Sequence, residues 1–318
     1  MRVGSRGSAL ALAQAKLVAD LLGGAEMVTI TTTGDRESDS SGQTGARAST
    51  SPGASTGVGV DKAEDKSRWV IELEQALSAG EIDLAVHSAK DVPGELADGL
   101  QLLGAPARAA PEDVLCGAGE LDDLPRGARV GSSSVRRAAQ VLAVREDLDV
   151  SAIRGNVDTR LRKLGEGSHD VIVLALAGLQ RLGREHEAGM VLDLERFVPS
   201  PGQGVLALEG RADDESVRAA VQAITDAEAF SCLLAERALA RELQAGCHTP
   251  LGAYAAPAGC GCLLLRAWVG LPDGSQWLRD ELVGGFYDAE ALGVRLAERL
   301  KTVGAAELLG RAEEMAVS

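Results

Sequence analysis

The sequence predicts an α/β protein of two doubly wound lobes followed by a smaller α+β domain. From the N-terminus to about residue 210, short apolar runs of strand length alternate with helix-period segments, the mark of parallel βα units. Beyond about residue 225 the order changes to one long helix, three short strands and terminal helices. With 318 residues the chain exceeds what a single core ordinarily fills, so two or three domains are expected.

MRVG opens the chain as a strand and leads into an apolar-periodic helix over residues 8 to 22, stopped by Gly23 and Gly24. MVTITTT follows as a second strand. Residues 37 to 63 are rich in Ser, Gly, Thr and Ala with almost no large apolar side chains, so a mobile loop is expected there. A helix over 69 to 79 and the strand IDLAVHS over 82 to 88 complete the first set, and DVPGELADG turns the chain outward. A second βαβαβ set begins at ARVG, residues 128 to 131, and continues through helices over 133 to 145 and 156 to 164 and the strands VSAIRG and DVIVLAL. After PSPGQG, the strand VLALEG is expected to return to the first lobe. The domains are thus residues 1 to 106 with about 204 to 222, residues 107 to 203, and residues 223 to 318.

The composition, 45% hydrophobic and 25% charged, is that of a globular chain, and the net charge of -15 disfavours binding to nucleic acid or an anionic membrane. Yet residues 129 to 184 hold nine arginines and one lysine against six acidic residues, a local excess of positive charge. No apolar run reaches membrane-span length, and the N-terminus lacks a basic stretch followed by a long apolar run, so no secretory signal is expected. Five scattered cysteines argue against a disulfide framework and for a reducing cytoplasm.

Several corners concentrate anion-binding groups. At GSRGSALAL a strand ends on Gly4, Ser5 and Arg6 and a helix begins at Ser8, which is equally well a plain N-cap. GSSSVRRAAQ places Ser132, Ser133 and Ser134 at a helix start with Arg136 and Arg137 in its first turn. Two cations at the positive end of a helix are unfavourable unless an anion meets them. In IRGNVDTRLRKL, Arg154 ends a strand and Arg160 lies one or two turns into the next helix, and Arg181 follows in AGLQRL. These features fall at the C-terminal edges of parallel strands, where open α/β sheets bind ligands, so the arginines are expected to converge on a carboxylate-rich or phosphate-bearing ligand. Arg162 and Lys163 read instead as a solvated helix face.

HSAKDVP supplies His87, Ser88, Lys90 and Asp91 directly after a buried strand; Asp91 either stabilises a turn or serves a cationic intermediate. AGCHTPLGAYA sets Cys247 in a Gly-bounded loop beside His248. A free cysteine is more often an inert buried residue than a nucleophile, and Cys260 and Cys262 raise the alternative of a zinc ion shared with Cys247 and His248, although the spacing falls short of a zinc ribbon.

Read in order, GSRGSALALAQA, VIELEQALSAGEIDLAVHSAKDVP, GSSSVRR, IRGNVDTRLRKL, PSPGQG and AGCHTPLGAYA resemble the successive signature blocks of the porphobilinogen deaminase (hydroxymethylbilane synthase) family. The resemblance implies two lobes like those of periplasmic binding proteins plus a small cysteine-bearing domain. It also implies a cytoplasmic, monomeric, metal-free transferase. Its reaction joins four porphobilinogen molecules head to tail, with loss of ammonia, into hydroxymethylbilane for haem and other tetrapyrroles. The chain would grow on a dipyrromethane cofactor held as a thioether by Cys247, with Asp91 stabilising the cationic azafulvene left as ammonia departs. By the same resemblance Lys90, Asp91, Ser132, Ser133, Ser134, Arg136, Arg137 and Arg154 hold the cofactor. Arg6, Ser88, Arg154, Arg160, Arg181, Lys66 and Gln203 contact substrate.

The chain departs from the family pattern in three places. Asp65, Lys66, Ser67, Arg68 and Trp69 stand where the family usually reads Gly-Lys-Gly-Leu-Phe, Ala245 replaces a glycine and Ala13 a tryptophan. Two other classes compete with the transferase. One is a non-catalytic two-lobed binding protein that captures a carboxylated ligand through the same arginines, and the other is a zinc module built on the late cysteines.

Overall fold

The computed structural model describes residues 1–31, 70–117, 119–246 and 249–317. The expected 37–63 loop, Trp69, Lys66, Cys247 and His248 lie outside them.

The first lobe begins with β1 (Arg2–Arg6) and helix α1 (Ala9–Leu21), whose N-cap Ser8 accepts a hydrogen bond from the Ala11 amide. Next come β2 (Glu26–Ile30), α2 (Ile71–Ser78), β3 (Leu84–Ser88), a short 3-10 turn over Ala89–Asp91 and β4 (Leu100–Gly104). The second lobe holds β5 (Asp113–Gly117), β6 (Arg129–Gly131), α3 (Val135–Val144), β7 (Asp149–Ser151), α4 (Val157–Gly165), β8 (Val171–Ala175), α5 (Leu176–Arg181) and β9 (Met190–Val191). The chain then enters β10 (Leu206–Arg211) and α6 (Glu215–Ile224).

The two sheets run β2-β1-β3-β10-β4 and β7-β6-β8-β5-β9. In each, three parallel strands are followed by one antiparallel strand and then an edge strand. The lobes therefore repeat one topology. Two crossovers make this possible: β4 leads into β5 of the second sheet, and β9 leads back to β10 of the first. The crossovers run side by side, with the Ala109 amide donating to the Gly204 carbonyl at 3.1 Å and Arg108 Nε donating to the Gln203 carbonyl at 2.9 Å.

The third domain packs α7 (Ala227–Glu242), α8 (Ala289–Thr302) and α9 (Ala305–Val317) on an antiparallel sheet of β11 (Leu251–Gly259), β12 (Cys262–Gly270) and β13 (Trp277–Gly285). Leu239, Leu263, Leu265, Leu292 and Leu296 are fully buried at its centre.

Glu236 of α7 ties this domain to both crossovers. Its carboxylate, fully buried, accepts from Arg108 Nη1 at 2.6 Å, the Gly202 amide at 2.6 Å and the Ala255 amide at 2.7 Å. Removing one partner of such a pair strands the other charge in the interior. Glu236→Ala is accordingly expected to cost about 3–5 kcal/mol in urea unfolding; a loss below about 1 kcal/mol would mean that water reaches Arg108 freely.

Sequence reading missed β4, β5, β9, α5 and α6, and it overextended VSAIRG. The strand β7 stops at Ser151 because it pairs only with β6 at the sheet edge, and Ser133 Oγ captures the Ile153 carbonyl at 2.7 Å. Arg154 therefore stands in an exposed loop beyond the strand end rather than on the strand itself.

Candidate active site

The parallel strands deliver most of the expected residues to their C-terminal edges. Arg6 ends β1 and Ser88 ends β3, with Lys90 and Asp91 on the 3-10 turn that follows; all four are half-buried. Gln14, on the inner side of α1, holds Ser88 by donating to its hydroxyl at 2.8 Å. In the second lobe β6 runs into Ser132, Ser133 and Ser134, and β8 runs into α5 and Arg181.

The serine hydroxyls serve the local fold. Ser134 caps α3 by accepting from the Arg137 amide, Ser132 Oγ accepts from the Ser134 amide at 3.2 Å, and Ser133 holds the Ile153 carbonyl. Arg136 and Arg137 turn inward from the first turn of α3 and are 5% and 8% exposed. The anion that their position demands is supplied by the protein: Asp113, 1% exposed, accepts from Arg136 Nη2 at 2.7 Å and from Arg137 Nε at 2.9 Å. Gln203 completes the cluster, its Nε2 donating to Asp113 at 2.8 Å while its Oε1 accepts from Arg137 Nη2 at 3.3 Å. Against the cost of burial, the two guanidiniums hold the Asp113 carboxyl far below the usual carboxylate range.

Arg160 and Arg181 differ in kind. Each is half-buried and, among the described residues, donates to a backbone carbonyl, Arg160 Nε to Gly155 at 2.7 Å and Arg181 Nη2 to Gly204 at 2.7 Å. Neither meets a carboxylate among the described residues. Desolvation draws both guanidiniums down to about 10, and the nearby charge of Arg137 contributes for Arg160. Burying a charged group is costly, and in this the two differ from Arg136 and Arg137, whose charge meets Asp113. Arg162 lies on the solvated face of α4, in an exposed ion pair with Glu166, as expected for it.

The PSPGQG segment joins the two halves. Gly202 (φ +74°) lies so close to the turn after β3 that a Cβ there would come within 2.8 Å of Ala89 Cβ and 3.0 Å of the Lys90 amide. Gln203 thereby connects the Asp91 turn to the arginine cluster, and Arg181 anchors on the adjoining Gly204.

Helix α7 approaches the same turn from the third domain. Arg237 donates to the carbonyls of Pro93 at 2.7 Å and Val92 at 3.3 Å, directly after Asp91. The helix ends at Glu242 with Leu243 as its C-cap, and Gln244, at a left-handed φ of 52°, then reverses the chain. The Gly246 amide then donates to Thr249 Oγ1 at 3.0 Å, and Cys247 falls in the interval that the described residues skip.

The remaining cysteines are free. Burial pushes the Cys116 and Cys232 thiols up to about 11 and about 12, which makes both inert. Among the described residues no group of three or more His, Cys, Asp or Glu side chains is placed to share a metal ion.

Asp113, Gln14, Glu236 and Arg237 escaped the sequence reading. The signal for Asp113 was present: two arginines in a helical first turn required a nearby anion, and PEDVLC offers an aspartate at the start of an apolar run.

Comparison with known proteins places this arrangement. A family model described as porphobilinogen deaminase, dipyromethane cofactor binding domain, matches residues 1–219, and one described as porphobilinogen deaminase, C-terminal domain, matches residues 230–302. The chain is similar to the porphobilinogen deaminase of Brevibacillus brevis, at 42% identity over 97% of this chain and 96% of the relative. It is similar also to that of Thermus thermophilus, at 42% over 97% and 98%, and to that of Deinococcus radiodurans, at 40% over 98% of each. A solved periplasmic substrate-binding protein from Coxiella burnetii overlaps 70% of this chain and 91% of its own, with a TM-score of 0.38 and 13% identity. Full-length relatives and two family models, matching in the order in which the lobes and the third domain follow one another, agree that this chain belongs to the porphobilinogen deaminase family.

Proposed function

We propose that this protein is the transferase that joins four porphobilinogen molecules head to tail into hydroxymethylbilane for tetrapyrrole synthesis, releasing one ammonia per molecule added. The observation that carries the reading is the pair of desolvated guanidiniums, Arg160 and Arg181, that meet carbonyl oxygens and no carboxylate among the described residues, beside the Arg136–Arg137–Asp113 cluster. Porphobilinogen carries an acetate and a propionate, so each unit added brings two carboxylates. An acidic protein with a net charge of -15 must gather its cations locally to receive them.

The residues also suit a dipyrromethane group. It has four carboxylates, and buried Arg136 Nε has no acceptor among the described residues, which leaves a donor to offer. When bound, the group supplies the pyrrole end to which the first substrate is joined. Cys247 would hold it as a thioether, with Lys90, Ser132, Ser133, Ser134, Arg136, Arg137 and Arg154 around its carboxylates. Arg6, Ser88, Arg160, Arg181, Lys66 and Gln203 would receive the incoming substrate. Each charge-assisted hydrogen bond of this kind contributes about 1.5–3 kcal/mol. Asp91 is the catalytic carboxylate: as the substrate's carbon–nitrogen bond breaks and ammonia leaves, the carbon left behind is cationic, and a fixed negative charge stabilises it.

The domain limits that go with this reading are residues 1–106 with about 204–222, residues 107–203 and residues 223–318. The protein acts in the cytoplasm as a monomer, without nucleic acid or membrane partners. Support comes from the buried free thiols of Cys116 and Cys232, the acidic net charge, and a cation cluster drawn from one chain. No helix among the described residues is long and apolar enough to cross a membrane.

Incubation with porphobilinogen followed by detection of a bilane tests the activity. Intact-protein mass spectrometry tests the attachment: wild type is expected to carry a dipyrromethane adduct that Cys247→Ala lacks. A folded wild type that stays unmodified and forms no bilane would favour the carboxylate-binding protein instead.

A further inference from the structure

Asp113 is the first residue of β5, set at the point where the chain enters the second sheet. Three donors converge on it: Arg136 Nη2 at 2.7 Å on Oδ2, and Arg137 Nε at 2.9 Å and Gln203 Nε2 at 2.8 Å on Oδ1. Further bonds fix what Asp113 leaves free to turn. Arg136 Nη1 donates to the Val198 carbonyl at 2.9 Å, and Gln203 Nε2 also donates to the Pro111 carbonyl at 2.7 Å. Two guanidiniums against one carboxylate leave one positive charge, and the buried Arg136 Nε keeps an N–H with no acceptor among the described residues.

A guanidinium on its long stem has many rotamers, and a ligand that must freeze them binds more weakly. Here the freezing is done in advance by an internal carboxylate. We propose that Asp113 is a positioning residue, which sets the forks of Arg136 and Arg137 in one orientation before a pyrrole carboxylate arrives and trims their joint charge to that of a single cation. The proposal rests on the reading of these arginines as the cofactor's carboxylate partners. If Asp113 served only to neutralise buried charge, its position within the cluster would be of little consequence.

Full-length wild type, Asp113→Asn and Asp113→Glu, each made without porphobilinogen, would be incubated with it, and the rate of adduct formation followed by intact mass alongside melting temperature. Asp113→Asn is expected to acquire the adduct at least about tenfold more slowly, since small misplacements of orienting groups are costly. Asp113→Glu keeps the buried charge but moves the carboxylate by one methylene; it is expected to melt closer to wild type while still loading slowly. Wild-type loading by Asp113→Asn would overturn the proposal, and so would full recovery by Asp113→Glu. Should neither variant fold, Gln203→Met removes one donor to the same carboxylate; slowed loading with an intact fold is expected, and an unchanged rate overturns the proposal. A wild type that acquires no adduct and forms no bilane sinks the family function itself, and is read before any variant is compared.

Discussion

Asp91→Asn is expected to leave a folded protein whose bilane formation falls by two to three orders of magnitude. Asparagine keeps the size and half-buried position of the side chain on the turn after β3 and removes only its charge. A unit charge about 4 Å from a cationic carbon, in the intermediate dielectric of a cleft, contributes about 4 kcal/mol. That is close to three decades of rate. The loss should fall on kcat rather than KM, because the substrate carboxylates are held by other groups and the positive carbon exists only on the way to product. Steady-state bilane formation together with a melting curve checks this. Near-normal kcat would remove the assigned role, and a collapse of the melting temperature would recast Asp91 as a turn-stabilising residue.

Arg137→Ala is expected to abolish cofactor loading, with the adduct absent from intact mass after incubation with porphobilinogen. The family resemblance implies that loss without unfolding; the structure adds a cost in stability. Arg137 shares Asp113 with Arg136 and Gln203, so its removal weakens the compensation of a buried carboxylate by about 1–3 kcal/mol. The pH dependence follows from the same contact. In wild type the Asp113 carboxyl is held well below its unfolded value, so it contributes stability above the ordinary aspartate range and loses that contribution as pH falls through the depressed value. With one guanidinium gone the depression shrinks, and the loss moves to higher pH. Acid unfolding of Arg137→Ala, followed by circular dichroism, should therefore have a midpoint at higher pH than wild type. Unchanged acid unfolding would mean that Arg136 and Gln203 alone suffice to hold the carboxylate.

Local pattern by itself determined the α/β class, the strand–helix corners at Arg6 and Ser132, the helix cap at Ser8, and the solvated face at Arg162. Each depends on residues within a few positions of one another, through apolar period, capping chemistry and the helix dipole. The family was legible for a related reason, since its blocks are contiguous and keep their order. Only the tertiary structure decided that β5 enters the second sheet antiparallel to β8, that Asp113 meets arginines from more than twenty positions away, and that Glu236 and Arg237 clamp α7 against the crossovers and the Asp91 turn. Those contacts join groups far apart in the chain, and a buried charge reveals its partner only once packing has removed the water around both.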